Sequence, residues 1–222
     1  EAHVVEFAPR LMPVQLDPDG GAALKARIEE LGVRVHLNRA TSEIVAGEEY
    51  AYRMNFSDGE SLETDLIVFS AGIRPQDALG HNAGLNDASW KGNVFGLVAP
   101  GYTMARNLAS LLMGEPHESF IGADMSTKLK LLGVDVGSIG DAHAATPGAK
   151  SYRFNDEVNS SYRRLVVSPD GSQVIGAVLV GDNSFYDTLL QYAQNGIKLP
   201  ADPASLILPA GEGAPALGAD AL

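Results

Sequence analysis

The sequence predicts an α/β fold in which part of a parallel sheet precedes a small α+β module. Two observations carry this prediction. A strand, a helix and a second strand follow one another with short links between Val4 and Leu37, which is the order of a βαβ unit. The segment Asp65–Phe69 is almost wholly apolar, as is typical of a central parallel strand covered on both faces.

The βαβ unit begins with a short buried strand at Val4–Phe7, and Glu6 lies near its end. Residues 8–13 contain two prolines, which end the strand. The second strand is predicted at Val33–Leu37. Because the connection is short and helical, the two strands are expected to be parallel.

A helix is predicted between these strands, over residues 19–31. Either Asp17 or Asp19 caps its start, and Gly32 ends it. Its apolar residues recur at spacings of four and three, as on one face of a helix: Leu24, Ile28 and Leu31.

The next predicted elements are a pair of strands within Glu43–Phe56 and a turn at residues 57–59. The apolar strand Asp65–Phe69 then leads into a tight glycine-proline loop, Ser70–Pro75. A helix is predicted over Met104–Leu112, with its start near Ala99 and Pro100.

After Gly114 the pattern changes to β structure, within Lys128–Val136 and Tyr162–Val180. Ser168–Gly171 has the composition of a hairpin turn. A helix over residues 184–195 follows, and Gly196 ends it. From Pro209 onward the chain is rich in alanine, glycine and proline, which predicts a flexible tail.

Composition excludes several classes of function. The net charge of −12 disfavours binding to nucleic acid and to an anionic membrane surface. The absence of cysteine excludes disulfides, thiolate metal sites and iron–sulfur ligation within this chain, and the histidines lack ligand spacing, so no bound metal is expected. No apolar run is long enough to cross a bilayer. The first residues do not resemble a signal peptide and lead directly into a strand, which predicts a chain cut inside a domain.

Glu6 is the first candidate site residue. In dinucleotide-binding folds the acidic residue that ends the second strand accepts hydrogen bonds from the adenosine ribose hydroxyls. Glu6 has this position if Val4–Phe7 is that strand. The ordinary alternative is a solvated strand end, and the pattern by itself favours it.

Two glycine-containing segments are further candidates. Gly72 permits close backbone approach, and Arg74 faces either a pyrophosphate or the solvent. Ala99 to Gly101 lies at a helix start, where free N–H groups suit an electron-rich ligand atom or simply belong to a proline-started helix. Lys128 and Lys130 share a strand face, for which solvation is the simpler interpretation.

Longer motifs carry a resemblance to a known family. They are VEFAPRLMPVQLD at residues 5–17, SAGIRP at 70–75, GLVAPGYTMA at 96–105 and STKLKLLGVDV at 126–136, with Gly140–His143 and Tyr186–Pro209. The first two segments resemble motifs shared by two-dinucleotide flavoprotein reductases. The others resemble the large subunits of assimilatory NAD(P)H nitrite reductases, which are FAD-dependent pyridine-nucleotide oxidoreductases. The resemblance covers almost the whole chain except the tail.

The resemblance implies a partial Rossmann-type NAD(P)-binding domain at residues 1–72 and a flavin-domain remnant at 73–115. The α+β module at 116–209 and a flexible tail at 210–222 complete the predicted division. The cofactor-binding residues it implies are Glu6, Arg10, Ala71, Gly72, Ile73, Arg74, Asp87, Ala99, Pro100 and Gly101. It implies no catalytic side chain and no metal ligand in this chain.

Parts of the family pattern are absent. Both glycine fingerprints precede Glu1 in the family arrangement, and a stretch of a few tens of residues normally lies between Leu85 and Ala88. That stretch ends in an acid that contacts the flavin ribityl chain, a place that Asp87 could take. The iron–sulfur and sirohaem parts lie outside this chain.

The implied function is electron input: hydride passes from NAD(P)H, with NADH preferred, to FAD, and electrons continue to centres outside this chain. The implied partners are the rest of a nitrite reductase or further copies of the chain, and the implied location is the cytoplasm. Two alternatives stay open. One is another FAD-dependent reductase of the rubredoxin or ferredoxin reductase type. The other is a non-catalytic fragment that serves folding or subunit contact.

Overall fold

A computed structural model describes residues 1–72, 95–115, 120 and 122–209. The chain forms two compact units, one of Glu1–Leu66 with Ser126–Leu222 and one of Ile67–Met125. The mixed α/β architecture predicted from the sequence is confirmed. The proposed division into domains at residues 72, 115 and 209 stays a prediction. Within the described part of the chain, no helix is both long and apolar enough to cross a membrane.

The predicted βαβ unit is present at the start of the first unit. Strands β1 (Ala2–Val5) and β2 (Val33–His36) pair in parallel, and helix α1 (Pro18–Glu30) connects them. Strand β1 ends two residues earlier than predicted, and Phe7 is exposed beyond it. The backbone turns at Glu6, whose side chain and carbonyl are hydrogen-bonded outside the strand pair.

Helix α1 is specified by local signals. Asp17 is the N-cap and Pro18 is the first helical residue, where a missing N–H costs nothing. Leu24 and Ile28 are buried, whereas Leu31, predicted for the same face, is the exposed C-cap. The chain leaves the helix through Gly32, which has a positive φ of 83°.

A three-stranded antiparallel sheet follows, with strands β3 (Thr41–Ala46), β4 (Tyr52–Phe56) and β5 (Ser61–Thr64) in that order. The predicted strand pair and the turn at residues 57–59 are confirmed. The third strand was not expected from the sequence.

The prediction of a central parallel strand at Asp65–Phe69 is wrong. This segment forms no strand, and Leu66, Val68 and Phe69 are 75%, 80% and 75% exposed. In a doubly wound sheet, β1 and a strand at 65–69 would not be neighbours, because one further strand lies between those two positions. No described segment of this chain supplies that intermediate strand, so the backbone groups of 65–69 have no ladder to join.

The carboxyl-terminal part of the first unit is a five-stranded antiparallel sheet. Its spatial order is β6-β7-β10-β9-β8, and the bounds of the strands are Thr127–Leu131, Val134–Gly140, Lys150–Asp156, Ser161–Val167 and Val174–Val180 for β6 to β10. The hairpin turn predicted at residues 168–171 joins β9 and β10. Helix α3 (Tyr186–Asn195) ends at Gly196 as predicted, and a short 3-10 helix, Pro203–Leu206, follows.

Each face of this sheet has its own hydrophobic core. Leu24 and Ile28 of α1 pack on one face together with strand residues such as Val136, Tyr162 and Val178. On the other face helix α3 packs against strand residues, and members of that core include Ile139, Leu165, Leu179, Tyr186 and Leu189. Helix α1 is therefore shared between the parallel strand pair and the carboxyl-terminal sheet.

The second unit contains helix α2 (Val98–Met113), which covers the predicted helix at residues 104–112. It starts close to Ala99, as expected, and it ends at Gly114 in a left-handed conformation.

Candidate functional site

Glu6 stands at the carboxyl end of β1, the edge at which parallel sheets bind their ligands. Its backbone N–H donates to the His36 carbonyl over 2.8 Å, and its own carbonyl accepts from the Arg39 N–H over 3.0 Å. Oε1 of its half-buried carboxylate accepts from the Ala8 N–H at 2.8 Å, while Oε2 has no hydrogen bond or ion pair within the described residues. One carboxylate oxygen of Glu6 thus fixes the side chain, and the other is available to accept a hydrogen bond from a ligand.

Arg10 stabilises the loop that follows, residues 6–17, which we call the β1–α1 loop. Its Nε donates to the Leu16 carbonyl at 3.0 Å and its Nη2 to the Pro13 carbonyl at 3.1 Å. The aliphatic part of the side chain packs over Gly21, where an added Cβ would come within 3.0 Å of the Arg10 Cβ. Nη1 makes no hydrogen bond or ion pair in the described part of the chain.

The loop ends at Asp17, which is 1% exposed. Its Oδ1 accepts from the Gly20 N–H at 3.1 Å, and its Oδ2 accepts from the Tyr162 hydroxyl at 2.8 Å and from Nη1 of Arg164 at 3.0 Å. Burial, followed by the hydrogen bond to Asp17, raises the pKa of Tyr162, so the hydroxyl is protonated and donates at neutral pH. Gly20 permits α1 to lie this close to the sheet, because an added Cβ at this position would lie 3.0 Å from Val178 of β10.

Sequence reasoning missed this buried group of Asp17, Tyr162 and Arg164. Asp17 was considered only as a helix cap, and its two other partners lie 145 and 147 residues away. A buried acid and a buried arginine give no periodic signal in the sequence. The only hint was the pair of adjacent charged residues, Arg163 and Arg164, inside a strand that is otherwise apolar over its second half.

His3 and His36 form a second feature that spacing did not reveal. They lie on neighbouring parallel strands, and their rings stack with centroids 5.3 Å apart and an Nδ1 to Nε2 distance of 3.0 Å. Burial, and then the adjacent His3, lowers the pKa of His36. Among the described residues, no group of three or more histidine, aspartate or glutamate side chains is arranged to hold a metal ion.

The remaining sequence-predicted residues belong to the second unit. Ala71 and Gly72 are exposed, and Gly72 has a φ of 86°, the conformation in which a glycine is required. Ile73, Arg74 and Asp87 lie outside the described residues.

Ala99, Pro100 and Gly101 form the first turn of α2, as the sequence suggested. The N-cap, Leu97, offers no side-chain hydrogen bond to the helix N-terminus. An added Cβ at Gly101 would meet nothing within 4 Å, so the space beside this turn is open. Backbone N–H groups at such a helix start are suited to an electron-rich ligand atom.

Lys128 and Lys130 of the edge strand β6 are exposed, and each pairs with a carboxylate. Nζ of Lys128 lies 2.8 Å from Asp187 of helix α3, and Nζ of Lys130 lies 3.4 Å from Asp135 of β7. The interpretation as a solvated strand face agrees with these contacts.

Comparison with known proteins gives two family matches and a set of relatives. Residues 1–94 match the family described as pyridine nucleotide-disulphide oxidoreductase, and residues 126–197 match the rubredoxin NAD+ reductase C-terminal domain. The whole chain is 51% identical to part of the nitrite reductase [NAD(P)H] large subunit of Klebsiella oxytoca and to part of the nitrite reductase (NADH) large subunit of Escherichia coli. It is 27% identical to rubredoxin-NAD(+) reductase of Alcanivorax borkumensis, over 81% of the chain and 51% of that protein.

The chain spans only 26% and 29% of the length of the two nitrite reductase subunits. The alignment with the Klebsiella protein covers 249 positions, whereas the chain has 222 residues, so that relative carries residues that this chain lacks.

Solved structures show the same fold at low identity. The NAD-dependent persulfide reductase from A. fulgidus is 19% identical with a TM-score of 0.67, over 88% of this chain and 44% of that one. The water-forming NADH oxidase from Lactobacillus brevis, bound to NADH, is 17% identical with a TM-score of 0.66, over 88% of this chain and 53% of that one.

Proposed function

We propose that the chain, whose residues 1–94 match the pyridine nucleotide-disulphide oxidoreductase family, is part of the electron-input module of an NAD(P)H nitrite reductase. The observation that carries this proposal is the 51% identity over the full chain to two nitrite reductase large subunits. In the longer polypeptide, NAD(P)H would deliver a hydride to FAD, and electrons would continue to iron–sulfur and sirohaem centres outside this chain.

The residues present fit the adenosine side of a nicotinamide dinucleotide. Glu6 has an open carboxylate oxygen at the carboxyl end of a parallel strand, the position from which an acid accepts hydrogen bonds from ribose hydroxyls. In the loop that follows, Arg10 has an Nη1 that no described residue bonds, and this group would bind a phosphate. The cofactors carry the redox chemistry, and these side chains bind and orient them.

The residues also fit a contact with flavin at the start of α2. Ala99, Pro100 and Gly101 form a first turn without a side-chain cap, and Gly101 is exposed with open space beside it. The partial positive charge of a helix N-terminus would stabilise the electron density that a flavin carbonyl gains on reduction. The contributions of Ala71, Gly72, Ile73, Arg74 and Asp87 remain part of the same proposal.

The proposal is tested in the longer reductase polypeptide by filling the space beside this helix turn. Gly101→Val adds a side chain where the fold leaves room, so the protein should fold normally and lose most of its flavin. Ala105→Val, one turn further along the same helix at a position that is also exposed, is the matched control and should retain flavin. Flavin content after dialysis and the rate of flavin bleaching by NADH in anaerobic mixing are the two measurements.

Equal flavin content in the two variants would contradict the proposed flavin contact. A wild-type polypeptide that binds flavin but is not bleached by NADH or NADPH would contradict electron input altogether. Reduction of rubredoxin or ferredoxin, without reduction of nitrite, would favour the alternative of a different FAD-dependent reductase, whose relative matches at 27% identity.

A further inference from the structure

The β1–α1 loop is held at its far end by the carboxyl-terminal sheet. Arg164 and Tyr162 of β9 both donate to Oδ2 of Asp17, the last residue of the loop. The side chains of Arg164 and Asp17 are 6% and 1% exposed, so solvent does not compete for this contact. The same guanidinium reaches the Ala142 carbonyl at 3.3 Å and the Ser151 hydroxyl at 3.1 Å, which fixes its position.

A second contact from the same region reaches the middle of the loop. His143, the neighbour of Ala142, lies with Nε2 at 2.8 Å from the Val14 carbonyl. The loop is therefore attached at two points to residues that lie more than a hundred positions further along the chain. The first half of the loop is held by nearer residues: Glu6 accepts from the Ala8 N–H, and the N–H of Asn38 donates to the Ala8 carbonyl.

These attachments determine where Arg10 lies. Its Nε bonds the carbonyl of Leu16, the residue before Asp17, and its aliphatic chain packs over Gly21 in the first part of α1. A displacement of Asp17 would move Leu16 and with it the Arg10 guanidinium. Because recognition groups must be placed within about an ångström, such a shift is enough to weaken binding strongly.

We propose that Arg164 and Tyr162 are positioning residues for dinucleotide binding, which act through Asp17 on the β1–α1 loop. This inference rests on the proposed function, because it takes the loop to be the dinucleotide site. It gives the carboxyl-terminal sheet a role in nucleotide affinity, although no residue of that sheet contacts the cofactor in this scheme.

The chain provides a matched control on the same strand. Arg163 is as deeply buried as Arg164 but points to the opposite face, where it pairs with Asp182 at 2.7 Å and donates to the Ile207 carbonyl at 3.0 Å. Its guanidinium lies 4.4 Å from the Phe185 ring centroid. Arg163→Met therefore removes a buried charge from β9 without touching the loop, and it should lower the melting temperature about as much as Arg164→Met does.

The test compares Arg164→Met, Tyr162→Phe and Arg163→Met in the longer reductase polypeptide. Steady-state KM and kcat for NADH are measured together with hydrogen exchange of the amides of residues 10–16. Arg164→Met should raise KM about tenfold with kcat at saturating NADH and flavin content unchanged, and it should accelerate loop exchange. Tyr162→Phe, which keeps the packed ring, should raise KM about threefold, and Arg163→Met should leave KM and loop exchange unchanged. Arg164→Lys should recover part of the loss, because it keeps one charged donor to Asp17.

The inference is overturned if KM stays within twofold of wild type in Tyr162→Phe and Arg164→Met, or if Arg163→Met raises KM equally. If Arg164→Met does not fold, Tyr162→Phe with its exchange measurement decides the matter. Failure of the proposed function has a different signature: faster loop exchange in Arg164→Met together with a wild-type polypeptide that NADH does not reduce.

Discussion

Glu6 is the residue at which sequence and structure meet most directly. The sequence placed a carboxylate at the end of a strand, and the structure gives that carboxylate one bonded and one open oxygen. It also gives the carboxylate a second task, because Oε1 organises the backbone at Ala8. Any substitution at Glu6 therefore changes both ligand recognition and the start of the loop.

We predict that Glu6→Ala in the longer polypeptide weakens the binding of NADH about ten- to hundredfold, since a charge-assisted hydrogen bond contributes roughly 1.5–3 kcal/mol. The affinity for NADPH should fall less or rise, because the repulsion between the carboxylate and the 2′-phosphate disappears as well. Glu6→Gln should shift selectivity the same way while keeping an acceptor for Ala8. The measurement is kcat/KM for both cofactors, with exposed Glu157→Ala as the control. Unchanged selectivity in both Glu6 variants would mean that the carboxylate is only a solvated strand end.

Residue-scale prediction failed where partners are distant in sequence. Asp17 was assigned as a possible cap from its local context, and it is one. Its burial against Tyr162 and Arg164 depends on the packing of α1 onto β9, which no local pattern encodes. Apolar spacing identified Leu24 and Ile28 as core residues for the opposite reason, because helix periodicity is a local property.

At the scale of elements, the hairpin between β3 and β4 depends on a single acid from β5. The N–H groups of Glu49, Tyr50 and Glu48 all donate to the Glu63 carboxylate, as does Arg53. These hydrogen bonds, that from Glu49 first, lower the pKa of Glu63 to about 2 from its ordinary value of 4.5. The ionised carboxylate thus organises the turn by accepting from three consecutive backbone N–H groups.

A pH dependence of stability follows from this lowered pKa. Glu63 stabilises the fold fully above pH 4.5, and the stabilisation is lost as the pH falls towards about 2, because protonation removes the acceptor charge. Glu63→Gln should therefore lower the melting temperature at neutral pH, and the difference from wild type should shrink across that window. Glu60→Gln, on the neighbouring turn, is the control and should show no such trend. A difference that stays constant down to pH 2 would refute the assignment.

Elements with local signals were predicted well. Helices α1, α2 and α3 and the β9–β10 hairpin lie within a few residues of their expected bounds, because caps, glycines and turns mark their ends. Strands β5 and β8 were missed. Both lie at a sheet edge; β5 is short and mostly polar, and β8 offers only two apolar side chains, Tyr152 and Phe154, in alternation.

At the scale of the molecule, the parallel sheet could not be assembled from the sequence alone. An apolar segment such as 65–69 carries the composition of a central strand, but pairing needs neighbours, and composition does not reveal which neighbours a chain contains. The same limitation applies to α1, which was predicted as the connection between the parallel strands and also packs against the antiparallel sheet.

The exposed segment 65–69 gives a testable statement about the longer polypeptide. Amide hydrogens of Leu66 to Phe69 should exchange rapidly in this chain, because they are unpaired and exposed. In the longer reductase polypeptide they should be protected at least about a hundredfold, as expected for a strand inside a cooperative sheet. Amides of β10, central in its own sheet, should be protected in both cases and serve as the internal standard. Fast exchange of 66–69 in both polypeptides would exclude a strand at this position.

The long sequence separation within the buried Asp17 group also has a consequence for synthesis on the ribosome. Asp17 leaves the exit tunnel well before Tyr162 and Arg164, which follow 145 and 147 residues later. At elongation rates of roughly 5–20 residues per second, that interval lasts about 7–30 s. During it α1 has its cap but not the sheet face on which it will rest, so the apolar stripe around Leu24 stays accessible to chaperones. The segment around α1 is thus translated before the strands that complete its packing.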